Sequence, residues 1–364
     1  MKGSDMAVEI VSNSKPDERQ IVSDSKPDER NSGESRLSAF GSAFVAGGFT
    51  MYPVILLLVI VGAIVAPRFA TTDNFINILE QVSVLGLTTI GLTFVVLIGR
   101  LDLSLEGIVG FAPMFAAITL VPAAAGGLGI ELPAWTGLIV ALGTAGLIGF
   151  FNGFMVVKVG LNPFISTLGL LVLLRGGILI ISSGRSIYSP GKALTYLGSE
   201  KLLGIPVSVL VFVLIATVVG LVFKYHRYGR ALYAVGGNED AARAAGINVD
   251  KVIWLSFVFA ALLAGLAGVL MTGRLDSAVT TQGQGIIFSA FAAAVIGGVS
   301  LGGGRGTIVG VVSGVLLIGV INNLLTLAQV PSFYVQASTG AVIIIAAVLT
   351  TVASSRSSGV RTRT

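Results

Sequence analysis

A few polar side chains lie inside or beside long apolar runs, and their chemistry is the first clue to function. They are Asp102, Ser104, Asn152, Asn162, Arg175, Asn322 and Asn323. Polar groups are costly inside a bilayer, so they often mark the path of a solute. This set of amides, a hydroxyl, a carboxylate and a cation can hydrogen-bond an uncharged polar solute. It contains no nucleophile–base pair of the kind that an enzyme needs, and we expect no catalytic residue.

Each of these residues has more than one interpretation. Asp102 and Ser104, in the stretch GRLDLSLEG, either cap the helix that follows, where a carboxylate is favoured, or line a substrate path. Arg175, in LLVLLRGGIL, either extends its head to the membrane surface, pairs with Asp102, or faces an aqueous cavity. The asparagines either hydrogen-bond between helices or contact a polyhydroxyl solute.

The elements that hold these residues are apolar runs of roughly 18–25 residues, the length that spans a bilayer. The 364-residue chain is 54% hydrophobic and only 11% charged, with a mean hydropathy of +0.92, whereas soluble domains are about one quarter charged. We therefore predict an all-α polytopic membrane protein with about ten transmembrane helices. The predicted spans are 46–66, 78–99, 104–122, 134–157, 163–183, 205–224, 252–273, 286–300, 306–327 and 333–352.

Two of these spans are expected to be irregular. Pro113 lies in the middle of the third span and should kink or break that helix. The eighth span, 286–300, is short and is expected to be tilted or partly re-entrant. Glycines at four-residue spacing, in Gly302–Gly314 and at Gly149 and Gly153, indicate close helix packing or, alternatively, a path lined by exposed backbone.

Basic residues predict the orientation. Most of the 23 Lys and Arg residues fall on one side of the membrane if the N- and C-termini are both cytoplasmic. Residues 1–43 are predicted to be a disordered cytoplasmic tail with an 11-residue tandem repeat, IVSNSKPDERQ and IVSDSKPDERN. The repeat is either a duplication without function or a docking or regulatory tail. Residues 44–353 form the transmembrane domain, and 354–364 form a cytoplasmic C-terminal tail.

The predicted cytoplasmic loop 225–251 contains a charged, alanine-rich stretch, GGNEDAARAAGINVDK. Asn238 can cap a helix there, and the two acidic residues that follow suit its first turn. Gly246 can end the helix, and Glu239 and Arg243 are spaced for an ion pair one turn apart. We predict a short helix whose small alanine face lets a partner approach closely; the alternative is a merely soluble connection.

Several site classes are excluded or disfavoured. The chain has no cysteine, and His226 is its one histidine, so a thiolate metal site is excluded and a histidine metal site or proton relay is disfavoured. The glycine run GGVSLGGGRG lacks the spacing of a phosphate-binding loop and is expected to be a turn between spans. The basic residues are scattered, which disfavours nucleic acid. We expect no metal and no cofactor bound by this chain, so energy for transport must come from elsewhere.

Several blocks in order resemble a known family. They are GLTFVVLIGRLDLSLEGIVGF, GFFNGFMVVKVGLNPFISTLGLLVLLRG, YAVGGNEDAARAAGINVDKV, GRLDSAVTTQGQG and AAAVIGGVSLGGGRGTIVGVVSGVLLIGVINNLL. Over roughly 50–352 the chain resembles the permease subunit of bacterial ATP-binding-cassette (ABC) importers for simple sugars, the ribose/xylose/arabinose class, a type II importer-like fold. The family usually has Gly-Gly before its Leu-Asp-Leu-Ser, whereas here the pair is Gly99-Arg100.

The resemblance implies a function and partners. Two permeases, a homodimer or a pair of paralogues, would form the path for a monosaccharide or polyol in the bacterial inner membrane, surrounded by lipid. Separate ATPase subunits would use ATP and Mg²⁺, and a periplasmic sugar-binding protein would deliver the solute. The loop helix would be the coupling helix that docks on the ATPase. Its residues are Asn238, Glu239, Asp240, Ala241, Ala242, Arg243, Gly246 and Ile247. An ion-coupled secondary transporter of a small polar solute is the alternative.

Overall fold

The computed structural model describes residues 51–331 and, beyond them, positions 334, 337, 340, 341 and 344. The tandem repeat, the start of the first predicted span, most of the tenth predicted span and the C-terminal tail lie outside the described residues. Predictions for those parts therefore stay predictions.

The described part of the chain is mostly helical, as the apolar runs predict. In chain order the helices are α1 (Tyr52–Val65), α2 (Thr72–Leu97), α3 (Ser104–Leu120), α4 (Gly137–Val157), α5 (Pro163–Ser182), α6 (Lys192–Ser199), α7 (Val207–Tyr225), α8 (Arg227–Gly237), α9 (Glu239–Ala244), α10 (Val249–Leu275), α11 (Ile286–Ile296) and α12 (Ile308–Leu327). Single turns of 3₁₀-helix cover Ala123–Ala125 and Ala134–Thr136. Each predicted span from 46–66 to 306–327 overlaps one of these helices.

By length and composition, six helices of the described residues are able to cross a membrane: α2, α4 with the turn before it, α5, α7, α10 and α12. Helices α1, α3 and α11 are also apolar but shorter. Two small antiparallel pairs of strands complete the described fold, β1 (Ile187–Tyr188) with β4 (Ser277–Ala278), and β2 (Lys201–Leu202) with β3 (Ile205–Pro206).

Helix α2 lies in the middle of the bundle. In its most apolar 18-residue window 83% of the residues are buried, against 33% for α4, 22% for α5 and 28% for α7. Helix α10 packs against α2, α3 and α4. The outer faces of α4, α5 and α7 expose large aliphatic and aromatic side chains, which suits contact with lipid or with another protein in the membrane.

The glycine stripes serve close packing. A Cβ on Gly149 would lie 2.7 Å from the Phe257 carbonyl oxygen of α10. Cβ atoms on Gly310 and Gly314 of α12 would collide with backbone oxygens of the α11 region. The two earlier glycines of the predicted four-residue ladder lie before Ile308, where α12 begins, so the ladder is half helix and half loop.

Helix α3 runs unbroken through Pro113, so the chain is not broken there, and a kink at this proline stays a prediction. A proline has no N–H to offer the carbonyl four residues earlier, which here belongs to Val109. The Gln282 amide donates to that carbonyl oxygen at 3.2 Å. A side chain from a distant segment thus replaces the missing backbone donor, and the helix continues.

The helix in the eighth predicted span is short, and whether it is tilted or partly re-entrant stays a prediction. Helix α11 has 11 residues, about 16 Å at 1.5 Å per residue, roughly half of the hydrocarbon core. The preceding residues 279–285 are non-helical, and Gln282 is only 2% exposed. The Gln282 amide also donates to the Gly268 carbonyl inside α10, at 2.8 Å. The hydrogen bonds of Gln282 thus tie these non-helical residues to α3 and α10.

Candidate functional site

Asp102, Ser104, Asn152 and Ser166 form one hydrogen-bonded group, here called the Asp102 cluster. Asp102 is 1% exposed, and its Oδ1 accepts from the Ser104 backbone N–H at 2.9 Å and from the Ser104 hydroxyl at 2.5 Å. The Asn152 amide of α4 donates to Asp102 Oδ1 at 3.4 Å and to Ser104 Oγ at 3.3 Å. The Ser166 hydroxyl of α5 donates to Asn152 Oδ1 at 3.0 Å. The Asp102 carboxylate thus accepts from the first N–H of α3, although the N-cap residue itself is Leu103. Through Asn152 the cluster joins α3, α4 and α5.

The other asparagines lie apart from this cluster. Asn162 is exposed, and its Oδ1 accepts from two N–H groups in the first turn of α5, at 2.9 and 3.4 Å. Asn323 and Asn74 exchange two amide hydrogen bonds of 3.0 and 2.8 Å between α12 and α2, so the interhelical interpretation is confirmed for Asn323. Asn322 is half-buried. Among the predicted asparagines, only Asn152 shares hydrogen bonds with Asp102.

Arg175 pairs with Glu106, which sequence reasoning did not select. The Arg175 Nη2 to Glu106 Oε1 distance is 3.0 Å, and Arg175 Nη1 donates to the Gln282 carbonyl oxygen at 2.9 Å. Of the three interpretations of Arg175, pairing with Asp102 is wrong for a geometric reason. Asp102 is joined to Ser166, and Arg175 lies about 13 Å farther along α5.

The second Glu106 oxygen, Oε2, accepts from the Gly285 N–H at 3.0 Å. Gly285 is the N-cap of α11, so this carboxylate lies at the positive end of a helix dipole. We call Glu106, Arg175, Gln282 and Gly285 the ion-pair cluster. The side chains of Arg175 and Glu106 are 22% and 9% exposed, so the pair is largely desolvated and reachable only from the Arg175 side.

The two clusters place more charged side chains inside the bundle than was predicted, because Glu106 was not among the predicted residues. Asp102 and Glu106 flank the start of α3, and both are buried. Arg175 balances Glu106, whereas the hydrogen-bond donors to Asp102 are an amide, a hydroxyl and a backbone N–H. The clusters offer polar groups of both kinds, donors and acceptors, beside the sparsely buried helix α5. Asp102, Ser104 and Asn152 are at most 1% exposed, so in this conformation these groups hydrogen-bond one another and do not line an open cavity.

The predicted loop helix exists as α9, although it is shorter than residues 239–247. The Asn238 side chain accepts from the Ala241 N–H at 2.8 Å, as predicted for a cap. Gly246 has φ +83° and donates to the Arg243 carbonyl at 3.0 Å, while Ile247 donates to the Ala242 carbonyl at 3.1 Å. These two bonds and the left-handed glycine form a Schellman motif, which ends the helix.

Ion pairs attach α9 to the rest of the fold. The predicted pair of Glu239 and Arg243 is present at 3.4 Å. Glu239 also pairs with Arg100 at 3.0 Å, and Arg243 pairs with Asp250 at 3.4 Å. Arg100 follows α2 and is the residue at which the chain departs from the Gly-Gly of the family. The side chains of Glu239 and Arg243 are 41% and 55% exposed, so these pairs orient α9 more than they stabilise it.

One face of α9 is buried and the other is open. Ala242 is 4% exposed and faces the bundle, so it is not available to a partner in this conformation. Asp240, Ala241, Ala244 and Ala245 are exposed. Ala244 and Ala245 were not among the predicted coupling residues, although their spacing from Ala241 places them on the same side of a helix.

The glycine run before α12 contacts the end of α2 and helix α8, which precedes α9. The Gly304 N–H donates to the Leu97 carbonyl at the end of α2, at 2.8 Å. A Cβ on Gly236 would collide with that same carbonyl. The Tyr233 hydroxyl of α8 donates to the Gly306 carbonyl at 2.8 Å, and burial raises the pKa of Tyr233, so the phenol stays a neutral donor. The backbones of α2, α8 and the glycine run therefore meet here at close range. We call this end of the molecule, from which α9 follows α8, the α9 end of the bundle.

Comparison with known proteins identifies the family to which the chain belongs. The model of a family described as branched-chain amino acid transport system / permease component matches residues 74–347. The chain belongs to this permease family. The matched region of the permease contains the Asp102 cluster, the ion-pair cluster and α9.

Curated relatives match the permease over most of their length. The ribose import permease protein of Bacillus subtilis (strain 168) is 38% identical over 297 residues, 81% of this chain and 90% of the relative. The ribose import permease protein of Escherichia coli (strain K12) is 36% identical over 299 residues, with coverages of 81% and 90%. The D-allose transport system permease protein of that strain is 35% identical over 300 residues, with coverages of 82% and 90%. No solved structure matches the chain.

The predicted family resemblance is thus confirmed. Together with its apolar helices, family membership makes the chain a multi-pass integral membrane protein and a transport permease.

Proposed function

We propose that the permease is the membrane subunit of an ABC importer and, as a homodimer or a pair of paralogues, forms the translocation path for a monosaccharide or related polyol. The observation that carries the proposal is the similarity along the chain to ribose and allose import permeases. The proposed location is the bacterial inner membrane. A separate ATPase subunit uses ATP and Mg²⁺, and a periplasmic binding protein delivers the sugar.

The proposed topology has ten spans with both termini in the cytoplasm. The distribution of Lys and Arg supports this orientation. Arg100, Arg227, Arg230 and Arg305 all lie at or near the α9 end of the bundle, which is then the cytoplasmic end. The short helix α11 and the non-helical residues before it would form the re-entrant eighth span.

Helix α9 is the proposed coupling helix. Its exposed residues Ala241, Ala244 and Ala245 present little side-chain bulk, so the backbone of a partner can approach closely. The ion pairs of Glu239 and the Schellman motif at Gly246 hold the helix in a defined orientation. A docked ATPase can therefore move α9, and the contacts of α9 with α8 and α10, together with its ion pair to Arg100, would carry the motion into the bundle.

The proposed path runs beside α5. Ser166 and Arg175 of α5 belong to the Asp102 cluster and the ion-pair cluster respectively. Helix α5 is the least buried of the six candidate spans, so these polar groups lie near a surface that a second permease copy would enclose. A sugar passing along that surface would meet donors and acceptors, and the cation near it, Arg175, is already paired with Glu106.

Site-directed cross-linking tests the coupling role, since the chain has no native cysteine. Ala244→Cys lies on the exposed side of α9 and should cross-link to single cysteines placed in the ATPase groove. Ala242→Cys, on the same helix but facing the bundle, is the matched control and should not. Equal cross-linking of both positions, or of neither in an assembled and ATP-hydrolysing complex, would contradict the assignment of α9.

A second candidate function has one observation in its favour. Asp102 and Glu106 are carboxylates buried in the bundle, and buried carboxylates serve proton or sodium coupling in other transporters. Such a secondary transporter would work without an ATPase, would stop when the ion gradient is collapsed, and would be abolished by Asp102→Asn. Family membership favours the importer, because a permease component is one part of a transport system.

A further inference from the structure

An apolar groove of about 770 Å³ lies between α7 and α12 at the α9 end, and no residue of either polar cluster lines it. Its walls are aliphatic, with Val213 and Leu221 from α7 and Val309 and Val312 from α12. The described residues that line it include tyrosines and Lys224 but no Asp or Glu. The groove therefore has an apolar body with cationic and phenolic groups.

The cationic rim is built by the junction of α7 and α8. Lys224 lies in the last turn of α7, with its Nζ 5.2 Å from the centre of the Tyr225 ring. Arg230 Nη1 donates to the Tyr225 carbonyl at 2.9 Å, which holds a second cation beside that turn. Arg227 begins α8 between them. Among the described residues no salt bridge occupies these three cations.

The length of the groove matches one leaflet. From Val213 to Lys224, α7 rises about 16 Å at 1.5 Å per residue, roughly half of the hydrocarbon thickness. Tyrosine and lysine at the end of such a stretch occupy the headgroup level. Basic pockets between transmembrane helices at this level are suited to anionic lipid headgroups.

We infer that this groove binds an anionic phospholipid. One acyl chain lies between α7 and α12, and the headgroup phosphate lies against Lys224, with Arg227 and Arg230 adding positive potential. A zwitterionic lipid fits the apolar body equally well, but it brings its own ammonium group to the cationic rim. The groove therefore selects by headgroup charge. Lipid binding at this groove is independent of which solute the permease transports.

Fluorescence quenching in vesicles tests the inference with the full chain. Val213→Cys, the single cysteine, carries a bimane label in the groove. Vesicles contain either phosphatidylglycerol or phosphatidylcholine with brominated acyl chains, at equal mole fraction in an unbrominated phosphatidylcholine background. The phosphatidylglycerol should occupy the groove about fivefold more strongly, the preference that one cation at an anionic surface provides. Lys224→Gln should remove most of this preference.

Two further variants test whether the lipid preference comes from the groove or from positive charge elsewhere on the surface. Gly220→Leu should reduce quenching by both lipids, because a Cβ there lies 3.8 Å from Ile308 and points a side chain into open groove space. Lys158→Gln removes an exposed cation at the end of α4 and should leave the preference intact. Native mass spectrometry of the purified chain should show retained phosphatidylglycerol that is lost with Lys224→Gln.

Several results would overturn the inference. One is equal quenching by the two brominated lipids in the unmodified groove, and another is an equal effect of Lys158→Gln and Lys224→Gln. If deletion of residues 1–43 raises quenching by both lipids, the N-terminal segment is the occupant instead. If quenching rises when the protein is diluted in lipid, a second copy covers the groove. None of these measurements depends on transport, so they stand apart from the proposed function.

Discussion

The ion pair of Glu106 and Arg175 should show a large coupling free energy between its two residues, and a double-mutant cycle measures it. The pair is largely buried, with exposed fractions of 9% and 22%. Removing one partner of a buried pair leaves an uncompensated charge and costs about 3–5 kcal/mol. An exposed pair would contribute under about 1 kcal/mol. Glu106 is buried and also accepts from the Gly285 N–H at 3.0 Å. We therefore expect the pair to behave as a buried pair.

The variants are chosen to keep shape and backbone hydrogen bonding. Glu106→Gln retains an oxygen that can accept from the Gly285 N–H, and Arg175→Met retains most of the side-chain volume. Each single variant should lose about 3–5 kcal/mol in the free energy of unfolding. The double variant has no stranded charge and should lose about 1–3 kcal/mol, which is one or two hydrogen bonds. The coupling free energy should then exceed about 2 kcal/mol.

The assay is reversible unfolding in mixed micelles with increasing dodecyl sulfate, followed by tryptophan fluorescence. The chain has two tryptophans, and Trp254 contacts Phe150 and Phe154 between α10 and α4, so its emission should report on loss of that packing. Additive effects of the two single variants, or losses below about 1 kcal/mol for each, would refute the argument. That outcome would mean that water reaches the pair.

Three other predictions concern single positions. Glu239→Lys places a third cation beside Arg100 and Arg243. It should abolish ATPase-driven uptake while the free energy of unfolding changes by less than about 1 kcal/mol. Persistent uptake would contradict the role of α9. Gly268→Ala should cost more than about 2 kcal/mol in the same unfolding assay, because a Cβ there collides with the Val109 carbonyl of α3. Gly143→Ala, with nothing within 4 Å of its Cβ, is the matched control and should be near neutral. Gln282→Leu should cost about 1–3 kcal/mol because it strands buried carbonyls, whereas exposed Gln284→Leu should not; equal effects would mean that the amide network is dispensable.

Local patterns in the sequence predicted much of the fold because each depends on neighbouring residues. An apolar run of sufficient length becomes a helix in a membrane whatever lies elsewhere in the chain. The cap at Asn238, the stop at Gly246 and the ion pair of Glu239 with Arg243 all lie within one short segment. Composition and spacing were therefore enough to predict them.

The remaining features of the site depend on contacts between distant segments. Arg175 and Glu106 are 69 residues apart, and Arg100 and Glu239 are 139 residues apart. Helix spacing alone does not say which residues of two helices lie at the same depth, so Asp102 was an equal candidate for Arg175. The break expected at Pro113 failed for the same reason, since the donor that replaces its N–H comes from Gln282.

Sugar uptake by proteoliposomes tests the central claim most directly. The permease is reconstituted with and without its ATPase subunit, ATP is enclosed on the ATPase side, and sugar-loaded binding protein is supplied on the other side. The importer function predicts accumulation only when permease, ATPase, ATP and binding protein are all present, and no effect of collapsing proton and sodium gradients. Accumulation by the permease alone, driven by an ion gradient and abolished by Asp102→Asn, would contradict it.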